Sequence, residues 1–289
     1  MTCPFLKEAQ VKYCATSAVR KFIPLPTAAG ADEKCTSAAH AGCQAYGLQP
    51  ARESVPGSCP YLRESLMQFC AAVPLTRFVP YSESPLSRCR NPGFRYCQQY
   101  VSMAQPERSA PEIDGIELPG WLEYAPNHMW LDVTGDGACH VGIDAFLSRA
   151  LGTIERITYV WLSGRHRPTV ALTVGGTDLQ LVFPNPFLLT KCNLYLRADP
   201  SPLATQPYTS GWLFEGVPDP ETVKGLFRGP AASQWMDAEQ CRMSEFLRQE
   251  HQGLAADGGL FTPGIARKLD RDRLLSLFHE FFSPYASGK

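Results

Sequence analysis

Eight cysteines in the first third of the sequence form two sets of four with matching spacing. The stretch "CPFLKEAQVKYCA" at residues 3–15 returns as "CPYLRESLMQFCA" at 59–71, and "KCTSAAHAGCQAY" at 34–46 returns as "RCRNPGFRYCQQY" at 88–100. The outer spacings are kept and only the middle gap changes, as expected for a loop between fixed ligands, because loop length costs little. The cysteines are Cys3, Cys14, Cys35 and Cys43, then Cys59, Cys70, Cys89 and Cys97.

Regular cysteine spacing of this kind is typical of metal ligands in a compartment where thiols stay reduced. The sequence shows no apolar run long enough to span a membrane and no secretory signal, so we expect a cytoplasmic protein. The repeat therefore predicts two metal sites, one in each copy. Disulfide pairs and buried structural thiols are the alternatives.

The sequence says less about which metal binds. Neither copy has the short Cys-x-x-Cys knuckle of a structural zinc site, and proline follows the first cysteine of both copies, which slightly favours a [4Fe–4S] cluster over zinc. His40 has no ligand counterpart, because Phe94 occupies its position in the second copy; we expect a hydrogen-bonded, partly exposed side chain. Basic neighbours would favour the ligating thiolate. The pairs kept in both copies are Lys7 and Arg63, Lys21 and Arg77, and Lys34 and Arg88.

The elements that must position these residues change along the chain. Glycine-containing turns separate short apolar runs in the middle of the chain, which predicts a compact β unit with one helix at "DAFLSRALG", capped by Asp144 and ended by Gly152. Apolar stripes near the end predict helices that face a core. The predicted parts are the duplicated module at 1–104 with repeats at 1–50 and 57–104, a linker at 105–119, the β domain at 120–216 and helices at 217–289.

The β domain resembles a known family. The run "NHMWLDVTGDGACHVGIDAFLSRALGTIERITYVWL" resembles the start of the H protein of the glycine cleavage system, whose His-x-Trp, Gly-Asp-Gly, Val-Gly-Ile and Ala-Leu-Gly elements stand in that order. The segment "NLYLRADPSPLATQPYTSGWLFEG" resembles its end, including Asn193, Pro207-Tyr208 and Gly211-Trp212. The resemblance implies a lipoyl-type barrel-sandwich hybrid. The expected fold class is therefore α+β and multidomain: a cysteine-rich metal-binding module, this central domain and a C-terminal helical segment.

The lysine on which that family's function depends is missing. The family carries lipoic acid on a lysine in a Glu-Ser-x-Lys hairpin, and this position falls near Gly176 in "LTVGGTDLQLVFPNP". No lysine stands between Arg165 and Thr190, and Lys191 belongs to the following strand. We therefore expect no lipoyl attachment and no lipoate.

The sequence shows no catalytic constellation. It lacks a Gly-x-Ser-x-Gly elbow, a Walker loop, a His-Glu-x-x-His motif and a Rossmann fingerprint. Cys139 and His140 adjoin, but neighbours in a strand face opposite sides and cannot pair. We expect Cys139, Cys192 and Cys241 to be packing residues, and His128 to be structural. The chain is not predicted to be an enzyme.

These features predict a non-enzymatic metal- or iron–sulfur-binding adaptor or electron-transfer protein. Its H-protein-like domain would dock a partner protein or enzyme complex. A lipoyl-pathway carrier or accessory protein, in which another residue replaces the arm, and a zinc-stapled interaction module remain as alternatives. A net charge of −1 and the lack of a dense basic patch give no support to nucleic-acid binding.

Overall fold

The chain forms two compact units, Met1–Phe94 and Arg95–Lys289. The structure, a computed structural model, describes residues 2–16, 21–23, 34–47, 59–74, 77–79, 88–104, 112–113, 115–135, 137–250 and 261–283. The first unit ends inside the module that the sequence predicts to run to residue 104, so Cys97 lies in the second unit. The predicted β domain and C-terminal helices share that second unit. Strands and helices together confirm the mixed α and β content.

The first unit contains a four-stranded antiparallel sheet in the order β2-β1-β3-β4. The long central strands come from the two copies of the repeat, and each short strand contains the basic-aromatic pair that follows. The strands are β1 (Leu6–Cys14), β2 (Lys21–Ile23), β3 (Leu62–Cys70) and β4 (Arg77–Val79). The helical elements are 3-10 turns at Lys34–Thr36, Ala38–Gly42 and Arg88–Arg90 and helix α1 (Gln44–Gly47), and a further 3-10 turn, Pro92–Tyr96, contains the boundary at Phe94.

The two copies pair with each other through their equivalent strands. Strand β1 runs antiparallel to β3 over all nine residues, from Leu6 opposite Cys70 to Cys14 opposite Leu62. Gln10 lies opposite Leu66, which is its own counterpart in the second copy. The sheet is therefore pseudo-symmetric about this pair, with the start of each strand beside the end of the other.

The second unit contains a three-stranded sheet, β10-β12-β13, and a six-stranded sheet, β11-β14-β15-β9-β8-β7. Strands β5 and β6 form a separate hairpin. The strands are β5 (Glu112–Ile113), β6 (Ile116–Glu117), β7 (Glu123–Tyr124), β8 (Met129–Val133), β9 (Cys139–Ile143), β10 (Arg156–Val160), β11 (Arg165–His166), β12 (Thr169–Val174), β13 (Thr177–Val182), β14 (Phe187–Cys192) and β15 (Phe214–Val217). The helices are α2 (Gln98–Ala104), α3 (Ala145–Leu151), α4 (Tyr195–Ala198), α5 (Pro202–Thr205), α6 (Gly229–Glu250) and α7 (Arg271–Phe282), with a 3-10 turn at Ile265–Lys268.

The second half of the predicted linker is part of the folded unit. Residues 105–111 lie outside the described residues, but β5 and β6 follow, and Ile116 and Leu118 are buried in the core. Gly115, with a φ of 80°, lies in the turn between β5 and β6. The sequence does not predict this hairpin, because its strands are too short to show an alternating apolar pattern within a polar, proline-rich segment.

Helix α3 has the boundaries that the sequence predicts. The Asp144 carboxylate accepts a hydrogen bond from the Leu147 backbone N–H at 2.8 Å and caps the first turn. Gly152 ends the helix with a φ of 68°. A Cβ on Gly152 would stand 2.6 Å from the Cα of Gly264, whose backbone N–H donates to the Arg149 carbonyl at 2.7 Å. Glycine is therefore required there for both conformation and close packing.

The C-terminal helices pack on the core, as their apolar stripes predict. Phe278, Phe281 and Phe282 of α7 are buried, and so are Met243 and Leu247 of α6. They belong to the same cluster as the sheet residues. These helices are thus an integral layer of the second unit.

Trp130 joins segments that are distant in sequence. Its indole N–H lies 2.9 Å from the Ile143 carbonyl and 3.2 Å from the Pro207 carbonyl. Tyr208, which follows Pro207 in the chain, donates its hydroxyl to the Glu117 carbonyl at 2.6 Å and accepts a hydrogen bond from the Ala145 N–H at 2.9 Å. These bonds satisfy polar groups that the core would otherwise leave unpaired.

His128 lies in a buried ionic cluster between the sheet and the C-terminal helices α6 and α7. Its Nδ1 atom is 2.7 Å from Asp144 Oδ2, and its Nε2 atom is 3.4 Å from Glu239 Oε2 on α6. Burial alone would lower the pKa of His128, but the two carboxylates outweigh that effect and raise the pKa to about 9. Arg242 pairs with Glu239 and with Glu280 of α7. Two cations thus lie among three carboxylates, which confirms the structural role predicted for His128.

Substituting Gly152 tests the contact with Gly264. We expect Gly152→Ala to lower the free energy of unfolding by about 3 kcal/mol, because a strained backbone and a steric clash combine. Gly164→Ala is the matched control: its φ is 79° but nothing lies within 4 Å of its added Cβ, so about 1 kcal/mol is expected. Urea unfolding measures both. Equal losses would show that the contact with Gly264 contributes nothing.

The His128 cluster makes stability depend on pH. The folded pKa of about 9 exceeds the ordinary value of 6.5, so protonated His128 stabilises the fold fully below pH 6.5, by on the order of 3 kcal/mol. This contribution is lost as the pH rises through 9. Replacing Glu239 by Gln lowers the pKa of His128, so the stability difference from wild type should shrink between pH 6.5 and 9 in urea titrations.

Glu245→Gln is the control for that experiment, because Glu245 lies on the same helix and is paired with exposed Arg248. Its effect should stay small and constant over the same pH range. A Glu239→Gln effect that does not change with pH would mean that Glu239 does not stabilise the protonated form of His128.

Candidate functional site

A two-residue turn stands where the family resemblance places the lipoyl lysine. Strands β12 and β13 pair in register up to Val174 opposite Thr177, and Gly175 and Gly176 close the hairpin. Their φ angles of 56° and 73° are the positive values that a type I′ turn requires at both central positions. Glycine adopts them without strain. The hairpin tip therefore carries no side chain.

A carboxylate from a neighbouring segment holds this tip. Glu155 Oε1 accepts from the Gly175 N–H at 3.0 Å, and Glu155 Oε2 accepts from the Gly176 N–H at 3.2 Å. Both donors would otherwise point into solvent at the end of the ladder. The bidentate contact fixes the turn against β10, the strand that follows Glu155.

Helix α7 reaches the same hairpin. A cavity at this point is lined by residues of the turn, the start of β13 and the first turns of α7. These residues are Gly175, Gly176, Thr177, Asp178, Arg271 and Leu275. The added C-terminal helix therefore borders the position from which an arm would swing.

Lys191 lies on β14, away from the hairpin tip. Its Nζ atom is 2.7 Å from Glu215 Oε1 on β15. Burial would raise the pKa of Glu215, but hydrogen bonds and charges from His140 and Lys191 lower the pKa to about 2. The lysine is thus tied to a partly buried carboxylate on the neighbouring strand, which is the position the sequence predicts for it.

His140 completes this second group of polar residues. It is buried, its Nε2 atom lies 3.3 Å from Glu215 Oε2, and its ring centroid lies 4.2 Å from that of Tyr96. The Trp212 ring contacts the His140 ring edge-on, with the two centroids 5.3 Å apart. The sequence does not reveal this group, because its members lie far apart in the chain and match no motif. Its charged members, Lys191 and Glu215, are paired with each other, so the group is a packed ion pair.

The three cysteines outside the repeats differ in environment. Burial raises the pKa of Cys139 and of Cys192 to about 12, so both thiols are protonated at neutral pH, as expected for packing residues. Cys241 is exposed, and the packing role predicted for it is wrong. It lies two residues before buried Met243 on α6, so the helical period turns it to the opposite side.

The geometry of the repeats excludes one four-cysteine site within each copy. Cys3 precedes β1 and Cys14 ends it, and the nine-residue strand spans roughly 26 Å at about 3.3 Å per residue. Thiolates on one metal lie roughly 4 Å apart. Cys59 and Cys70 are separated by β3 in the same way. The grouping by copy is therefore wrong, because an extended strand separates the first two cysteines.

The backbone instead brings cysteines of different copies together. The Cys3 N–H donates to the Cys89 carbonyl at 2.8 Å, and the Cys59 N–H donates to the Cys35 carbonyl at 3.0 Å. Within the described residues, no three His, Cys, Asp or Glu side chains are grouped closely enough to hold a metal ion. The eight cysteines therefore remain predicted ligands.

The remaining candidates have local contacts. Cys43 donates its backbone N–H to the His40 carbonyl at 3.0 Å, and the Cys97 carbonyl accepts from Val101 at the start of α2. His40 is hydrogen-bonded, with Nδ1 2.7 Å from the Ser37 carbonyl, and is buried rather than partly exposed. Across the part of the chain that the structure describes, no helix has the length and apolar character needed to cross a bilayer.

Comparison with known proteins identifies the central part of the chain. No protein-family model matches the sequence. The glycine cleavage system H protein of a Psychrobacter species is 32% identical over 113 residues, which are 35% of this chain and 83% of that protein. The H protein of Marinobacter nauticus is 27% identical over 129 residues, 43% of this chain and 98% of that protein. A crystal structure of an H protein from Mycobacterium marinum matches at 25% identity with a TM-score of 0.36, covering 42% of this chain and 98% of that one.

The H-protein relatives cover the middle of the chain, about 40% of it, and leave the flanking cysteine repeats unassigned. Through this middle part, the chain belongs to the glycine cleavage system H protein family.

Proposed function

We propose that this protein is a non-enzymatic adaptor whose H-protein-like domain docks a partner of the glycine cleavage system without carrying lipoate. One observation carries the proposal. The fold of the family is combined with a Gly175-Gly176 turn at the position of its lipoyl lysine, and Glu155 holds that turn closed. A carrier needs a long flexible arm at this tip. A docking protein needs only the surface around it.

Exposed apolar side chains near one edge of the second unit support docking. Trp161 and Leu162 follow β10 and are each more than half exposed. Leu188 and Val217, also exposed, are paired neighbours on β14 and β15, and Leu188 pairs with Arg165 of β11. Aromatic side chains are enriched at protein interfaces. Exposed apolar side chains of this kind favour an interaction surface.

The cysteine repeats supply the second activity of the adaptor, metal binding. Eight cysteines in duplicated positions, with a basic side chain such as Arg63 near Cys59, favour thiolate ligands. Two [4Fe–4S] clusters would make the module an electron carrier for the docked partner. Two zinc ions would make it a structural staple for a small sheet.

The missing lysine predicts that the protein resists lipoylation. The wild-type chain, incubated with lipoate-protein ligase, lipoate and ATP, should show no lipoyl mass by intact mass spectrometry. An authentic H protein in the same reaction serves as the positive control. A lipoyl mass on the chain that disappears in Lys191→Gln would instead establish the carrier alternative.

Docking predicts competition in a reconstituted glycine cleavage reaction from the same host. Without H protein the chain should support no glycine consumption. With H protein present, increasing amounts of the chain should slow the reaction. Consumption in the absence of H protein would make the chain a carrier, and an unchanged rate would exclude docking to this system.

The exposed edge can be tested in the same assay. Leu162→Ala should raise the concentration for half-inhibition roughly fivefold, which corresponds to about 1 kcal/mol of lost contact. Met103→Ala is the matched control, because Met103 is 53% exposed and Leu162 is 52% exposed. Equal effects of the two variants would remove this edge from the interface.

A further inference from the structure

The pairing of the two copies places each first cysteine beside the other copy. Because β1 and β3 are antiparallel over their full length, the start of β3 lies beside the end of β1. Cys59, just before β3, is therefore near Cys14, and Cys3, just before β1, is near Cys70. The antiparallel direction of the two strands determines this exchange, in which the first cysteine of one copy lies beside the second cysteine of the other copy.

Backbone hydrogen bonds hold the second cysteine of one copy beside the first cysteine of the other copy. The Ala15 N–H, next to Cys14, donates to the Tyr61 carbonyl at 2.9 Å, and the Leu62 N–H donates to the Cys59 carbonyl at 3.0 Å. Cys14 thus lies beside a turn that begins at Cys59.

The other end of the sheet repeats this arrangement. The Ala71 N–H, next to Cys70, donates to the Phe5 carbonyl at 2.8 Å, and the Leu6 N–H donates to the Cys3 carbonyl at 3.1 Å. The same bonds form at equivalent positions, so the exchange is a property of the repeat and holds at both ends.

The third cysteine of each copy is hydrogen-bonded through its backbone to the first cysteine of the other copy. Cys35 accepts from the Cys59 N–H, and Cys89 accepts from the Cys3 N–H. Cys3 and Cys59, the two exchanged residues, are both buried at 8% exposure. Each of these buried cysteines therefore lies on backbone that neighbours the segments of two other cysteines.

We infer that each metal site takes thiolates from both copies: Cys59 with Cys14 and Cys35 at one end of the sheet, and Cys3 with Cys70 and Cys89 at the other. This inference rests on the metal binding proposed above and changes its ligand sets. The sulfur atoms are not grouped in threes within the described residues, so binding requires the cysteine side chains to change rotamer. The ligand class is a soft, thiolate-preferring metal or cluster.

The basic neighbours fit the exchanged sets. Arg63 on β3 donates to the Pro60 carbonyl at 2.9 Å, beside Cys59, and lies opposite Tyr13, next to Cys14. Its guanidinium therefore serves the end of the sheet where Cys59 and Cys14 meet. A cation there offsets the negative charge of the bound thiolates.

Co(II) binding to the reduced full-length chain distinguishes exchanged from unexchanged sets. Wild type should bind two Co(II) ions with thiolate charge-transfer absorption. The variant Cys3→Ser/Cys89→Ser removes ligands from one exchanged site and should keep one ion. The variant Cys3→Ser/Cys35→Ser removes a ligand from each site and should bind none. Cys241→Ser, outside the repeats, should keep two.

The reverse pattern, one ion in Cys3→Ser/Cys35→Ser and none in Cys3→Ser/Cys89→Ser, would overturn the exchange and leave metal binding intact. No Co(II) binding by wild type would overturn the proposed metal-binding function as well. A thiol-bridging reagent of short span, applied to the wild-type chain without metal, gives a readout that needs no variant. Bridged peptides should join Cys3 to Cys89 and Cys35 to Cys59; bridges from Cys3 to Cys35 or from Cys59 to Cys89 would contradict the inference.

Discussion

A buried ionic cluster around His128 links the sheet of the second unit to its C-terminal helices. His128 lies between Asp144, which caps α3, and Glu239 of α6. Burying one charge is costly unless partners compensate it, so each member depends on the others. Arg242 extends the cluster to Glu280 on α7. The C-terminal helices are therefore bound to the family fold by electrostatics as well as by the aromatic side chains of α7.

This attachment has a consequence for the hairpin. Once α7 packs on the core, its first turns border the Gly175-Gly176 turn, with Arg271 and Leu275 beside it. In a carrier, the same tip must release and recapture a long arm. Here the tip is short, held by Glu155 and bordered by a helix. The glycine turn, the Glu155 carboxylate and the first turns of α7 therefore form one surface of the second unit.

The cysteine repeats obey a different constraint, the length of an extended strand. Nine residues of β structure put the first two cysteines of one copy too far apart to share a metal. A second antiparallel copy removes the difficulty, because it supplies the first cysteine at each end. Under the proposed metal binding, duplication has a physical reason: a single copy cannot bring its first cysteine to its second. The pseudo-symmetry about Gln10 and Leu66 makes both ends equivalent.

The sequence by itself determined the features that depend on local pattern. The repeat, the helix between Asp144 and Gly152, the apolar stripes of α6 and α7, and the family of the central part all follow from spacing and residue type, because these signals are short in range. The tertiary structure alone decided which side chains meet. It placed Glu239 on His128 and Glu215 on His140, turned Cys241 outward, folded Ile116 and Leu118 into the core, and set the first cysteine of one copy beside the third of the other. Spacing along a chain states how far apart two residues can be, but only strand direction and packing determine which of them become neighbours.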